Sequence, residues 1–224
     1  MIPFLKSTAA IVWKDIKTEW RTRENLSAML VFSLLVILIF NFALELDLRA
    51  RESLAGGVLW ATFIFAGTIG LNRSMAVEKD RGCLDGLLLA PVDRSAIFIG
   101  KTVGNLFFML VVEAIVLPVF SFLYGISVFQ PGFLVVVLLG SIGYSAVGTL
   151  LATMVVQTRT RDILLPILLF PLTLPVVIAA VKASQGFIQS VPFAEISVWV
   201  NILITYDLIF FTVAIMVFDY ILEE

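Results

Sequence analysis

The chain has 224 residues, 60% hydrophobic and 14% charged, with a formal net charge of -2 and a mean hydropathy of +1.06. That composition excludes an ordinary soluble domain and defines a polytopic membrane protein. One cysteine, Cys83, and no histidine exclude an internal disulfide, a multi-thiolate metal site and the commonest general base and haem ligand; neither a catalytic residue nor a metal site is expected.

Residues 1–25 read as an amphipathic helix lying in the membrane interface. Leu5, Ala9, Val12, Trp13, Ile16 and Trp20 share one face at spacings of three and four, opposite Lys6, Lys14, Lys17 and Arg21. Six apolar runs follow, about 26–44, 54–71, 102–124, 133–156, 163–181 and 198–218, each close to the ~20 residues that cross a hydrocarbon core about 30 Å thick. The second run interleaves Gly56, Gly57, Gly67 and Gly70, and the fourth carries Gly140, Ser141, Ser145, Gly148 and Ala152. Small residues in such runs predict close helix packing. The fifth contains Pro166, Pro171 and Pro175 and is expected to be bent and largely covered by its neighbours, because lipid cannot satisfy the carbonyls that proline frees. Residues Lys182 to Ser197 are too mixed to span and read as a shallow re-entrant or interfacial piece. The expected fold is an all-α membrane protein, one transmembrane domain over 1–224.

Twelve of the lysines and arginines fall at the amino terminus, in 72–101 and in the turn 157–162. Only Arg49, Arg51 and Lys182 fall in the alternate loops. The positive-inside rule then places both termini and the 72–101 interval in the cytoplasm.

That interval is the chemically distinctive stretch. Its polar part from Glu78 through Asp80 to Gly82 is followed by Leu84, Leu87 and Leu88 before Pro91. A short cytoplasmic helix with charged ends and leucines between them suits docking into a groove on a soluble protein. Gly100, Lys101 and Thr102 match the end of a phosphate-binding loop, but Ser95 stands where its first glycine is needed and a membrane helix follows. Lys101 therefore reads as an interfacial anchor that snorkels to the headgroups. Glu113 and Asp207 lie within the third and sixth runs, where a bare carboxylate costs at least roughly 2.5 to 3.5 kcal/mol. Two uses compete for them: proton or substrate sites, or structural hydrogen-bonding groups between helices.

Glu78, Asp80, Gly82, Leu84, Leu87, Leu88 and Pro91 are similar to the E-x-D-x-G-x-L-x-x-L-L-x-x-P stretch of the haem exporter protein B (CcmB) family. The proline-rich run from Leu164 to Ile178, LLPILLFPLTLPVVI, resembles that family's L-P-L-x-I-P run. The resemblance extends in order and spacing over essentially the whole chain. It implies a type-2 ABC exporter permease-like subunit of the bacterial inner membrane, acting in haem delivery or release of haem-loaded chaperone during cytochrome c maturation. The implied partners are a separate ABC ATP-binding subunit, which would hold ATP, a second copy of this chain, a haem-handling membrane subunit and, through it, a periplasmic haem chaperone; nucleic acid is not among them. Mechanical coupling is favoured over haem conduction, since no histidine is present to ligate haem. A type-2 ABC permease exporting a lipid, glycan or drug is the nearest alternative, a proton-coupled secondary transporter using Glu113 and Asp207 is one of another class, and a purely structural scaffold is a third.

Overall fold

The computed structural model describes residues 2–44, 48–80, 82–83, 86 and 92–221. Seven long helices occur among them: α1 (Ile2–Thr22), α2 (Glu24–Ala43), α3 (Leu48–Asp80), α4 (Arg94–Tyr124), α5 (Pro131–Val155), α6 (Arg161–Ile188) and α7 (Phe193–Ile221). The last six are each long and apolar enough to cross a membrane, so the chain is an all-α membrane protein.

Local chemistry explains most of the boundaries. Arg23 adopts a left-handed conformation with φ 54° between α1 and α2, which turns the chain sharply. The Glu19 carboxylate then accepts a hydrogen bond from the Leu26 amide at 2.9 Å and caps the start of α2. The Asp93 side chain accepts from the Ser95 amide at 2.9 Å, so α4 begins at an N-cap, eight residues before the apolar run. Gly125, with φ 67°, ends α4, and Pro131 occupies the first turn of α5.

α3 and α5 form the centre of the bundle, and α2 and α7 its periphery. Lipid offers no hydrophobic drive between helices, so the α3–α5 seam relies on close fit. The Trp60 indole lies against Gly140, where an added Cβ would stand 2.2 Å from the ring. The Tyr144 ring covers Gly67 and Leu71 sits over Gly148, with corresponding separations of 2.8 and 2.3 Å. Large residues thus meet glycines on both helices, as the small-residue stripes predict. Polar groups close the seam: the Tyr144 hydroxyl donates to the Ile64 carbonyl at 2.8 Å and lies 2.6 Å from the Thr68 hydroxyl.

α6 departs from its sequence reading in two ways. Pro171 and Pro175 lie on its exposed side, while Leu165, Leu169, Thr173, Val176 and Ala180 face the bundle. The helix is therefore not largely covered by its neighbours; on its inner side Thr173 donates to Leu169 O at 2.8 Å, and Tyr206 of α7 donates to Leu172 O at 2.9 Å. Second, 182–188 is helix and not a re-entrant piece. Its polar residues find partners on α3, since Ser184 accepts from the Trp60 indole at 2.9 Å. The Gln185 carboxamide donates to Glu52 O at 2.8 Å and accepts from Gly56 N at 3.0 Å, gripping both ends of one helical rung. The helix ends in a Schellman turn, with Ser190 N donating to Phe187 O and Val191 N to Gly186 O.

An Ala at position 140 must displace the Trp60 ring, whereas a Cβ at Gly57 meets nothing within 4 Å. Gly140→Ala is expected to destabilise the protein by about 1–3 kcal/mol, and Gly57→Ala to leave it unchanged, in thermal unfolding of the detergent-solubilised chain.

Candidate functional site

α1 lies along the start of α4 on a floor made by two glycines four residues apart. Ile11 rests on Gly100, whose added Cβ would stand 3.0 Å from it, and Asp15 on Gly104 at 3.3 Å. Ile11 joins a small satellite core with Ile97, Phe98, Ala214 and Phe218. The outer face of α1 leaves Trp13 and Trp20 exposed at 66% and 70%, an arrangement suited to a lipid interface. The face turned inward is mixed, with Ile11, Val12 and Ile16 beside Lys14 and Asp15, while Lys6, Lys17 and Arg21 stay exposed with the tryptophans and not opposite them.

Lys14 and Asp15 meet Glu78 near the end of α3 and Lys101 in the second turn of α4. The Lys101 ammonium, only 3% exposed, donates to Asp15 Oδ1 and Oδ2 at 3.1 and 2.9 Å and pairs with Glu78 Oε1 at 2.8 Å. Lys14 donates to the same Glu78 oxygen and lies 3.3 Å from Asp15 Oδ1. Two cations and two carboxylates from three helices therefore form one neutral quartet. Burial pulls the Lys14 ammonium down, but its hydrogen bond to Glu78 and the charges of Asp15 and Glu78 more than offset this and hold it above the ordinary lysine value. A raised lysine contributes its full stabilisation below the ordinary lysine value and loses it only as pH rises past the raised one.

Lys101 is thus an internal counter-ion and not a headgroup anchor. A lysine sealed from water is tolerated because two carboxylates take up its donors. Beside the quartet, a cleft of about 60 Å³ is walled by Asp15, Glu19, Asn25, Arg73 and Glu78.

The residues singled out for docking divide. Glu78 is buried in the quartet, with its Oε2 sealed and without a partner among the described residues. Asp80 is exposed and accepts two hydrogen bonds from Arg161 at 3.1 and 3.0 Å, while Asn72 donates to Asp162 at 2.9 Å; the end of α3 is thereby tied to the start of α6. Gly82 has φ 65°. Leu84, Leu87, Leu88 and Pro91 lie outside the described residues.

Glu113 and Asp207 approach the same turn of α5 from α4 and α7. Glu113 accepts from Ser141 at 2.6 Å, and Asp207 Oδ1 lies over Gly143, where an added Cβ would be 2.2 Å away. Neither Asp207 oxygen nor Glu113 Oε2 has a hydrogen-bond partner among the described residues. No hydrogen bond joins the two acids.

Sequence reasoning missed Asp15 and Lys101 as a pair, although one signal pointed there. Gly100 and Gly104 form a small-xxx-small spacing flanking Lys101, which marks a place where another helix backbone approaches.

Fold and site together define a polytopic helical membrane protein whose first helix is held to the bundle by an ion quartet. The family model described as CcmB protein matches residues 6–222, and the chain belongs to that family. It is 26% identical over 195 residues to heme exporter protein B of Rhodobacter capsulatus, covering 84% of this chain and 88% of that protein. Identity to heme exporter protein B of Pseudomonas aeruginosa is 24%, covering 83% and 84%, and to that of Paracoccus denitrificans 25%, covering 78% and 80%.

Removing one member of the quartet leaves a buried charge unpaired. Lys101→Met is expected to cost about 3–5 kcal/mol and to expose the lysines and arginines of α1 to trypsin. Adding Asp15→Asn leaves the Lys14–Glu78 pair balanced and should restore more than half of the loss in thermal unfolding and return α1 to protection.

Proposed function

We propose that this chain is the membrane subunit of an ATP-driven ABC complex acting in haem delivery, or in release of a haem-loaded chaperone, during cytochrome c maturation. The observation that carries this reading is the family match over 6–222, joined to relatives named heme exporter protein B that align over most of their length. In this reading ATP hydrolysis belongs to a separate ATP-binding subunit, the subunit pairs with a second copy of itself, and it works beside a haem-handling membrane subunit and a periplasmic haem chaperone. Both termini and the 72–101 interval face the cytoplasm of a bacterial cell, as the lysine and arginine count favours.

The 78–91 segment docks the ATP-binding subunit, and α3 is the element the dock moves. At 33 residues α3 extends about 50 Å, longer than a hydrocarbon core of about 30 Å. Its end carries Glu78 in the quartet and Asp80 on Arg161, so a displacement there is transmitted to α1, α4 and α6 together. Packed interfaces of this kind switch between discrete arrangements.

The burial of Glu78 sharpens the test. Reversing its charge would disrupt the quartet as well as any dock, so the informative substitutions lie further along the segment. Leu87→Asp with Leu88→Asp is expected to remove an ATP-binding subunit from material purified through this chain in mild detergent, with the melting temperature of the chain itself unchanged. Full retention of that partner would overturn the docking role, and absence of any ATP-binding subunit from the wild-type purification would overturn the whole reading.

A proton-coupled secondary transporter is favoured by one observation, the unpartnered carboxylate of Asp207 at the same turn of α5 that Glu113 reaches. On the ABC reading the Glu113 acceptor is structural. Glu113→Gln, which keeps an oxygen for Ser141, is then expected to sustain cytochrome c maturation at the wild-type level, and loss of maturation with intact folding would favour the transporter.

A further inference from the structure

The charged residues of α1 are sorted by sign. Its two acids are turned to the bundle and used there: Asp15 accepts from Lys101, and Glu19 accepts from the Leu26 amide. Glu24, which opens α2, pairs with Arg73, and Lys14 belongs to the quartet. What is left on the outer face is of one sign. Lys6, Lys17 and Arg21 are exposed and make no ion pair among the described residues, and the exposed Arg23 follows at the turn into α2.

Trp13 and Trp20 stand among these cations. Residues 13, 17, 20 and 21 are spaced by three and four along the helix and so share a face, where Trp13, Ile16, Lys17, Trp20 and Arg21 bound a shallow open groove of about 500 Å³. Both indoles and both cations of this groove are exposed to its contents. Exposed indoles are costly in water, whereas at headgroup depth the ring meets apolar surface and the N–H stays wet. The position of α1 fits that depth: Asp15 rests on Gly104, just inside the apolar run of α4 that begins at 102.

We propose that the outer face of α1 binds anionic phospholipid, with Lys17 and Arg21 taking the headgroup phosphate and Trp13 and Trp20 flanking it. The indoles suit any bilayer surface, but the cations discriminate between lipids. A zwitterionic headgroup would bring its ammonium against the same positive charges and find no carboxylate on this face to receive it. An anionic headgroup meets only opposite charge, and each lysine or arginine near such a surface favours binding about fivefold. The quartet then holds α1 to the bundle on one side while the lipid holds it to the leaflet on the other. Nothing in this assignment depends on haem or on an ATP-binding partner, so it stands or falls apart from the proposed function.

The test places the full chain in nanodiscs of phosphatidylcholine with a minor fraction of phosphatidylglycerol, the acyl chains of one lipid or the other being brominated to quench tryptophan fluorescence on contact. The signal of the two outer indoles is the difference between the wild type and the variant carrying Trp13→Phe and Trp20→Phe. Per molecule, brominated phosphatidylglycerol is expected to quench them about fivefold more than brominated phosphatidylcholine, and high salt to shrink that preference. Lys6→Gln with Lys17→Gln and Arg21→Gln should abolish the preference at an unchanged melting temperature, since none of the three belongs to the quartet. Equal quenching by the two lipids in the wild type, or a preference kept in the triple variant, would overturn the anionic-lipid site. Indoles reached by soluble acrylamide and by neither brominated lipid would overturn lipid as the occupant and assign the face to an acidic soluble partner.

Discussion

The structure depends on how tightly α3 and α5 approach. In lipid, apolar surface gains nothing by leaving acyl chains for another helix, so dispersion contacts at close range and hydrogen bonds between helices must hold the bundle. Trp60, Tyr144 and Leu71 each fill a space left by a glycine on the facing helix, and this sets the distance between the two central helices. The peripheral helices then pack on a centre whose spacing is already fixed: Met29 of α2 onto Gly70, and Asp207 and Val176 onto Gly143.

Polar groups decide what happens at the two ends of that centre. At one end the Gln185 carboxamide grips a rung of α3, and Trp60 donates to Ser184 within the next two turns. At the other, the quartet gathers α1, α3 and α4. These contacts differ in their sensitivity to loss. A neutral hydrogen bond contributes about 0.5–1.5 kcal/mol, whereas an orphaned buried charge costs several times more. The quartet is therefore the sharper constraint on how α3 and α1 can move relative to one another.

Much of this was legible in the sequence because hydropathy and residue size are local properties. The six apolar runs correspond to membrane-length helices, and the glycine-bearing stripes on the second and fourth runs point to the central seam. What was not legible depended on partners far along the chain. Lys101 reads as an anchor when counted alone, since nothing near it in sequence shows that Asp15, 86 residues away, and Glu78 will surround it. The polar residues of 182–188 likewise read as an interruption because their partners Glu52, Gly56 and Trp60 lie on a different helix. The prolines of α6 were expected to be covered on the ground that freed carbonyls need donors. The apolar face of the helix decided the orientation: Leu165, Leu169, Thr173 and Val176 turn inward and leave Pro171 and Pro175 on the exposed side.

Two structural parts of the 72–101 interval are now separable. Its first part is the end of α3, where Glu78 is spent on internal ion pairs and only Asp80 faces outward; its last part is the start of α4, where Lys101 closes the same cluster. The interval therefore leaves the bundle from one side of the quartet and returns to the other. On the docking proposed above, a partner bound to the segment between them would pull on both roots at once. Because Glu78 Oε1 at the first root pairs with Lys101 at the second and with Lys14 of α1, separating the roots breaks an ion pair while moving them together preserves it. On this geometry the quartet favours a concerted movement of α3, α4 and α1 over independent motion of any one of them.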